Sequence, residues 1–205
     1  MRDIQASVIF HALYKNVDGF ESSSQAKKKN QHQDGRNTFV YGEFPFITGQ
    51  AIIKKAQPKK DGVFFDLGSG VGRAVILSHL LFDFKKSVGI ELLEGMHKDA
   101  CQLQERLPTL VSPQFNHYLE NREMSLLNRN IFDVDLSEAD LILLNYPLRG
   151  EKSFLQLEEK FLRELKPKTK IIATIRKLKN PAFKLFHDRQ YKFSWGMADT
   201  YFYEI

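Results

Sequence analysis

The sequence predicts an α/β protein with a Rossmann-like, doubly wound, mostly parallel seven-stranded sheet and an antiparallel hairpin at its C-terminal edge. Apolar runs of strand length alternate with segments of helical periodicity, as in other parallel sheets. The first apolar run ends in Asp66 and leads into a glycine-rich turn, and the next one ends in Glu91. Alternating aromatic residues over 191–205 indicate the antiparallel hairpin.

Length and composition favour one globular domain. The chain has 205 residues, of which 42% are hydrophobic and 27% are charged, which are ordinary globular values. There is no apolar run of about 18 residues and no secretory pattern at the N-terminus. The single cysteine, Cys101, excludes an internal disulfide and favours a reducing, cytoplasmic location. A net charge of +5 permits a nucleic-acid partner without demanding one.

Residues 1–38 are predicted to form an N-terminal helix and a polar, mobile linker. The apolar positions of the helix are Ile4, Val8, Ile9, Ala12 and Leu13. Residues 18–38 are polar and poor in large apolar side chains, which is typical of a linker.

Residues 39–205 are predicted to form the folded domain. A helix is expected over 46–56, with Pro45 at its first turn. Strands are expected at 63–67, 87–91, 124–128, 139–144 and 170–175. The helices between them have the following apolar faces: Ala74, Val75, Leu77 and Leu80; then Met96, Ala100, Leu103 and Leu107, closed by Pro108; then Phe154, Leu157, Phe161 and Leu165. A short helix around 183–186 should lead to a hairpin of residues 191–195 and 200–205.

The spacing of the glycines indicates the kind of cofactor. Dinucleotide sites have G-x-G-x-x-G, whereas this chain has Gly68-x-Gly70-x-Gly72 directly after Asp66. This spacing suits a cofactor without phosphate, S-adenosyl-L-methionine, with S-adenosyl-L-homocysteine as its product. A carboxylate near Asp66 would hold the ammonium group, and Glu91 would accept the ribose hydroxyls. The alternative is a turn that needs glycine only for its backbone geometry.

Four segments should meet at one crevice, because ligands of such sheets bind outside the carboxyl ends of the strands. The segments are residues 66–72, 91–93, 130–133 and 145–148. Phe132 packs either against an adenine ring or in the core. Asn145 and the residues after it either orient an incoming amine or form a strand-ending turn. The histidines have no metal-ligand spacing, so no metal site is predicted.

The chain resembles two families of lysine methyltransferases. It resembles the seven-strand histone lysine methyltransferases of the disruptor-of-telomeric-silencing (Dot) type in Tyr41-Gly42-Glu43-Phe44, in residues 66–72 and in Gly89-Ile90-Glu91. Residues 133–140 and 162–167 are similar to the small lysine methyltransferases that modify mitochondrial carriers and the ATP synthase ring. This chain has Tyr146-Pro147-Leu148 where the histone-modifying family has Phe-Ala-Phe after its second asparagine.

The resemblance implies roles for individual residues. The loop of Tyr41, Glu43 and Phe44 would close over the methionine end of the cofactor. The cofactor-binding residues implied overall are Tyr41, Glu43, Phe44, Asp66, Gly68, Ser69, Gly70, Arg73, Glu91, Leu92, Phe132 and Asn145. The catalytic residues that the resemblance implies, beside the transferred methyl group and the incoming amine, are Asn145, Tyr146 and Tyr41.

These observations predict a class I methyltransferase that transfers a methyl group from S-adenosylmethionine to an accessible lysine of a protein substrate. The alternatives are an RNA or small-molecule N-methyltransferase on the same scaffold, and a non-catalytic module that binds the cofactor. Resemblance alone also suggests a bacterial protein that is delivered into a host.

Overall fold

A computed structural model describes residues 1–17, 42, 44–145, 148 and 150–205, together with Gly19, Glu21 and Ser24. The predicted linker therefore lies outside the described residues, apart from these three isolated positions. The boundary predicted between residues 38 and 39 lies outside them as well and stays a prediction.

The described residues form the predicted doubly wound sheet. Its strands are β1 (Val63–Leu67), β2 (Lys86–Glu91), β3 (Glu123–Asn128), β4 (Leu141–Leu144), β5 (Lys170–Thr174), β6 (Lys184–Phe193) and β7 (Gly196–Glu204). They lie in the order β3-β2-β1-β4-β5-β7-β6. Strands β1 to β5 pair in parallel, and β7 is antiparallel to both β5 and β6. The predicted antiparallel edge hairpin is thereby confirmed.

Helices cover both faces of this sheet. They are α1 (Arg2–Tyr14), α2 (Phe46–Lys55), α3 (Arg73–Leu81), α4 (Glu94–Leu110), α5 (Pro113–Asn116) and α6 (Glu151–Glu164). Helices α1 to α4 share one hydrophobic core, and α6 belongs to a second core on the other face. A single 3-10 turn, Ile131–Asp133, follows β3.

The sheet lies between the two cores, and the side chains of each strand alternate between them. Along β1, Phe64 belongs to the core of α1 to α4, whereas Val63, Phe65 and Leu67 belong to the core of α6. Every residue of β1 and β4 is buried. The continuous apolar run of residues 141–144 follows from this burial on both faces.

The order of the strands creates a switch point between β1 and β4. From β1 the chain proceeds to β2 on one side, whereas β4 is followed by β5 on the other side. Successive crossovers therefore leave in opposite directions, and a crevice opens above the carboxyl ends of the two strands.

Three local predictions were wrong. Residues 184–186 begin β6 instead of a short helix, because pairing with β7 (Lys184 opposite Glu204) supplies the hydrogen bonds that an isolated helical turn would lack. Pro108 lies within α4 and does not end it. On α1 the buried residues are Ala6, Ile9, Phe10, Leu13 and Tyr14, so the predicted face was rotated toward Ile4 and Val8, which are exposed.

None of the helices in the described part of the chain is long and apolar enough to cross a membrane.

A pair of substitutions on α1 tests the orientation of this helix. Ile9 is 6% exposed and Ile4 is 72% exposed. Ile9→Ala should lower the free energy of unfolding by about 2–4 kcal/mol, because it removes buried methyl groups and leaves a cavity. Ile4→Ala should change it by less than about 0.5 kcal/mol. Urea unfolding followed by circular dichroism measures both, and equal losses would contradict the orientation of α1.

Candidate active site

A cleft lies at the carboxyl ends of β1, β2 and β4. It is open to solvent, and the empty space within it, part of which is open solvent, amounts to about 920 Å³. The predicted site residues that line it are Phe44, Asp66, Gly68, Ser69, Gly70, Arg73, Glu91, Leu92 and Asn145. The structure thus brings together residues from four separate segments of the chain, as the carboxyl-end rule predicts.

Two carboxylates are buried in this cleft, and the first of them, Glu91, connects two segments of backbone. The Gly70 N–H donates to Oε2 of Glu91 and the Leu93 N–H donates to Oε1, both with N···O distances of 2.8 Å. Glu91 is 8% exposed, and this burial raises the pKa of its carboxyl group, while the backbone hydrogen bonds favour the ionised form. Glu91 therefore fixes the glycine turn against the segment that begins α4.

Glycine is required at two positions around Glu91. Gly70 has φ +55°, a left-handed conformation that L side chains rarely adopt, and in it the Gly70 N–H bonds to Glu91. On β2, a Cβ at Gly89 would lie 2.8 Å from both Oγ of Ser69 and Cγ2 of Val75. The absence of a side chain at Gly89 thus lets the turn pack directly on β2.

The second carboxylate, Asp66, lies at the end of β1 and is 3% exposed. Burial, and after it the nearby charge of Glu91, raises the pKa of Asp66 to about 8. At neutral pH the Asp66 carboxyl group is therefore mostly protonated in the absence of a cation. A positively charged group that entered the cleft would favour the ionised form.

Asn145 directly follows β4, and a hydrogen bond orients its side chain. The Thr174 hydroxyl, at the end of the neighbouring strand β5, donates to Oδ1 of Asn145 over 2.9 Å. This contact fixes which end of the amide faces Thr174. An amide oxygen has two lone pairs, so Oδ1 can accept a second hydrogen bond from an amine. The sequence analysis missed Thr174, although a polar residue ending an otherwise apolar strand beside Asn145 was a usable signal.

The residues after β3 form a short capped turn beside the cleft. Asn130 accepts the Phe132 N–H with its Oδ1 over 3.1 Å and caps the 3-10 turn. In this turn Ile131 lines the cleft, whereas Phe132 packs at the margin of the α6 core and is not part of the cleft lining. The predicted adenine contact of Phe132 stays a prediction.

Tyr41, Glu43 and Tyr146 lie outside the described residues, so their predicted roles stay predictions. The cleft lining also includes residues outside the predicted cofactor-binding set, which are Gly42, Ala74, Ile90, Leu93, Met96, Asn130, Ile131, Leu143 and Leu148. Of these, Leu93, Asn130, Ile131 and Leu148 belong to segments that were expected at the crevice. Ala74, Ile90, Met96 and Leu143 were missed, because apolar lining residues follow the same pattern as core residues. Within the described ranges, there is no cluster of three or more His, Cys, Asp or Glu residues that could hold a metal ion.

Solved structures with the same fold are methyltransferases. An RNA methyltransferase from Salinibacter ruber, solved with S-adenosyl-L-homocysteine, is 20% identical to this chain with a TM-score of 0.59. The match covers 80% of this chain and 93% of that protein. A methyltransferase from Pyrococcus furiosus is 15% identical with a TM-score of 0.58, and the match covers 90% of this chain and 96% of that protein. At such identities the likeness establishes the fold. The fold is that of a class I methyltransferase.

The family model described as "Histone methylation protein DOT1" matches residues 21–198. The chain belongs to this family. Together with the solved structures, this match confirms the predicted family and fold class.

Individual relatives of this chain are named as lysine N-methyltransferases. A Caenorhabditis elegans histone-lysine N-methyltransferase, H3 lysine-79 specific, is 29% identical over 147 residues, which are 71% of this chain and 16% of that protein. A Saccharolobus islandicus protein-lysine N-methyltransferase is 28% identical over 134 residues, which are 63% of this chain and 74% of that protein. The chain thus spans a minor part of the lysine-79-specific relatives, including 28% of the one from Kluyveromyces lactis.

The pKa of Asp66 generates a prediction about pH and stability. The pKa rises from 3.8 to about 8 on folding, so between these values the folded state binds a proton that the unfolded state does not. This contribution to stability is fully present at low pH and is lost as pH rises toward 8, at up to about 1.4 kcal/mol per pH unit. Asp66→Asn should remove that slope.

Urea unfolding at several pH values, without cofactor, measures the effect. The difference between the wild type and Asp66→Asn isolates the Asp66 carboxyl group from the other titrating groups. The exposed residue Asp188 provides the control, and Asp188→Asn should keep the wild-type slope. A wild type and Asp66→Asn variant with the same slope would show that Asp66 ionises normally.

Proposed function

We propose that this protein transfers a methyl group from S-adenosylmethionine to the side-chain amine of a lysine in a protein substrate. The observation that carries the proposal is the cleft, in which two buried carboxylates lie beside a glycine turn and an oriented asparagine ends the adjacent strand. The names of the relatives support lysine as the target. Because the chain spans only part of the lysine-79-specific relatives, the substrate protein is left open in this proposal.

The cofactor fits the hydrogen-bond acceptors that the cleft provides. Asp66, with its raised pKa, would ionise beside the ammonium group of the methionine part. Glu91 keeps lone pairs for hydroxyl donors beyond the two N–H groups that it already binds, because a carboxylate can accept about four hydrogen bonds. The apolar residues Leu92 and Ile131 would enclose the remainder. The chemistry that S-adenosylmethionine supplies when bound is an activated methyl group on a sulfonium centre.

The residues of the chain then have to position a neutral amine. Free lysine has a pKa of about 10.4, so a lysine in water is almost entirely protonated at neutral pH. An apolar entrance disfavours the charged form, and the described residues Phe44, Leu143 and Leu148 provide such a wall. Oδ1 of Asn145, held by Thr174, would accept an N–H of the amine and orient its lone pair.

In the same proposal the protein works in the cytoplasm. The supporting observation is its single, half-buried cysteine, Cys101, which is free.

The proposal is tested with radiolabelled S-adenosylmethionine and a cell lysate. The labelled product is divided between protease and ribonuclease, and the protease-sensitive part is hydrolysed and analysed for methyl-lysine. The Asn145→Ala variant serves as the matched control for background labelling. Label that is lost only to protease and recovered as methyl-lysine is the expected result. Label that is lost to ribonuclease would identify an RNA methyltransferase and overturn the assignment of lysine.

The orienting role of Asn145 gives a second prediction. Asn145→Ala should lower turnover by about 10- to 100-fold through loss of orientation, and should change the Kd for S-adenosylhomocysteine much less. Thr174→Val removes the hydroxyl that holds the amide and should lower turnover by a smaller factor. Steady-state kinetics and calorimetric titration measure the two quantities separately.

Thr200 provides the control for Thr174. It lies opposite Thr174 in the β5–β7 register, is fully buried, and its hydroxyl has no hydrogen-bond partner within the described part of the protein. Thr200→Val should therefore leave turnover at the wild-type value. Equal losses of turnover and cofactor affinity in Asn145→Ala would refute the orienting role.

A further inference from the structure

Helix α1 lies outside the part of the chain that the family model matches, since that match begins at residue 21. Its buried residues nevertheless belong to the same core as α3 and α4, the two helices that begin beside the cleft. Two contacts connect α1 directly to the glycine turn and to a residue of the cleft wall.

The first contact is a buried hydrogen bond. The Tyr14 hydroxyl donates to the carbonyl oxygen of Val71 over 3.0 Å. Tyr14 is 6% exposed and Val71 is 1% exposed, so this bond is shielded from water. Val71 lies within the turn between Gly70 and Gly72, and both glycines have positive φ. A hydrogen bond at the centre of the turn holds its backbone, in addition to the bond between the Gly70 N–H and Glu91.

The second contact involves Arg73, which lines the cleft. Its guanidinium carbon lies 4.4 Å from the centroid of the Tyr14 ring and 6.0 Å from that of Phe10. These distances allow a cation–π interaction, which orients the guanidinium group. Tyr14 thus contacts both the backbone of the turn and the first residue of α3.

We propose that Tyr14 is a positioning residue of the cofactor site, and that α1, although outside the matched part of the family, is required for the glycine turn to bind S-adenosylmethionine tightly. The inference rests on the proposed function for its ligand. Tyr14 acts through Val71 and Arg73. It should therefore affect the affinity for the cofactor and leave the maximal turnover at saturating cofactor unchanged.

The substitution that tests this is Tyr14→Phe in the full chain. It removes only the hydroxyl and keeps the ring against Arg73. The Kd for S-adenosylhomocysteine, measured by calorimetry, should rise by about three- to tenfold, the effect of losing one buried hydrogen bond. An unchanged Kd would overturn the proposal.

Tyr203→Phe is the matched control. Tyr203 is also buried and its hydroxyl also bonds to backbone, since it accepts the Leu178 N–H over 3.1 Å on the other face of the sheet. Both variants should lose some thermal stability, but Tyr203→Phe should bind S-adenosylhomocysteine as the wild type does. Equal weakening in both variants would assign the effect to general destabilisation and would contradict a positioning role.

Amide hydrogen exchange without any ligand separates this inference from the proposed function. The Gly70 and Gly72 N–H groups bond to Glu91 and to the Ser69 carbonyl oxygen, respectively. Tyr14→Phe should speed the exchange of these two amides, and Tyr203→Phe should not. If the wild type did not bind S-adenosylhomocysteine, the proposed function would fall, and the exchange rates would still decide whether Tyr14 positions the turn. Unchanged rates would refute that role.

Discussion

The carboxylate of Glu91 is the interaction on which the geometry of the cleft depends. One of its oxygens binds the N–H of Gly70 in the turn after β1, and the other binds the N–H of Leu93, just before α4. The turn and the start of the next helix are therefore joined by a single buried side chain at the tip of β2. The burial that raises the pKa of Glu91 also excludes the water that would compete with these two hydrogen bonds.

The elements around Glu91 hold the cleft from several directions. The pairing of β1 with β2 and β4 places Asp66, Glu91 and Asn145 at the same edge of the sheet. From α1, the Tyr14 hydroxyl donates a hydrogen bond to the Val71 carbonyl oxygen in the turn. Beyond β4, Thr174 orients Asn145. The glycine turn and Asn145 are thus each held by elements that are distant in sequence, which explains why a fold of this class can maintain a pre-formed site.

The fold and the central residues of the site were predictable because they depend on local patterns. Apolar strands, helical periodicity and the Gly68-x-Gly70-x-Gly72 turn determine where Asp66 and Glu91 lie. The role of Tyr14 was not predictable, because it depends on a contact across 57 residues of sequence. Thr174 left a signal, since it is a polar residue at the end of an apolar strand, but its contact with Asn145 spans 29 residues. Phe132 shows where prediction from local patterns ends, because an aromatic residue after a strand fits either a ligand site or the core. In the structure, Asn130 caps the turn and Ile131 lines the cleft.

The cleft at the ends of β1, β2 and β4 is proposed as the cofactor site. A crystal structure of the protein with S-adenosyl-L-homocysteine would test this assignment. We expect the ribose hydroxyls within hydrogen-bond distance of Glu91 and the ammonium group on the Asp66 side of the glycine turn. A ligand bound at any other surface, with Asp66 and Glu91 uncontacted, would contradict this assignment.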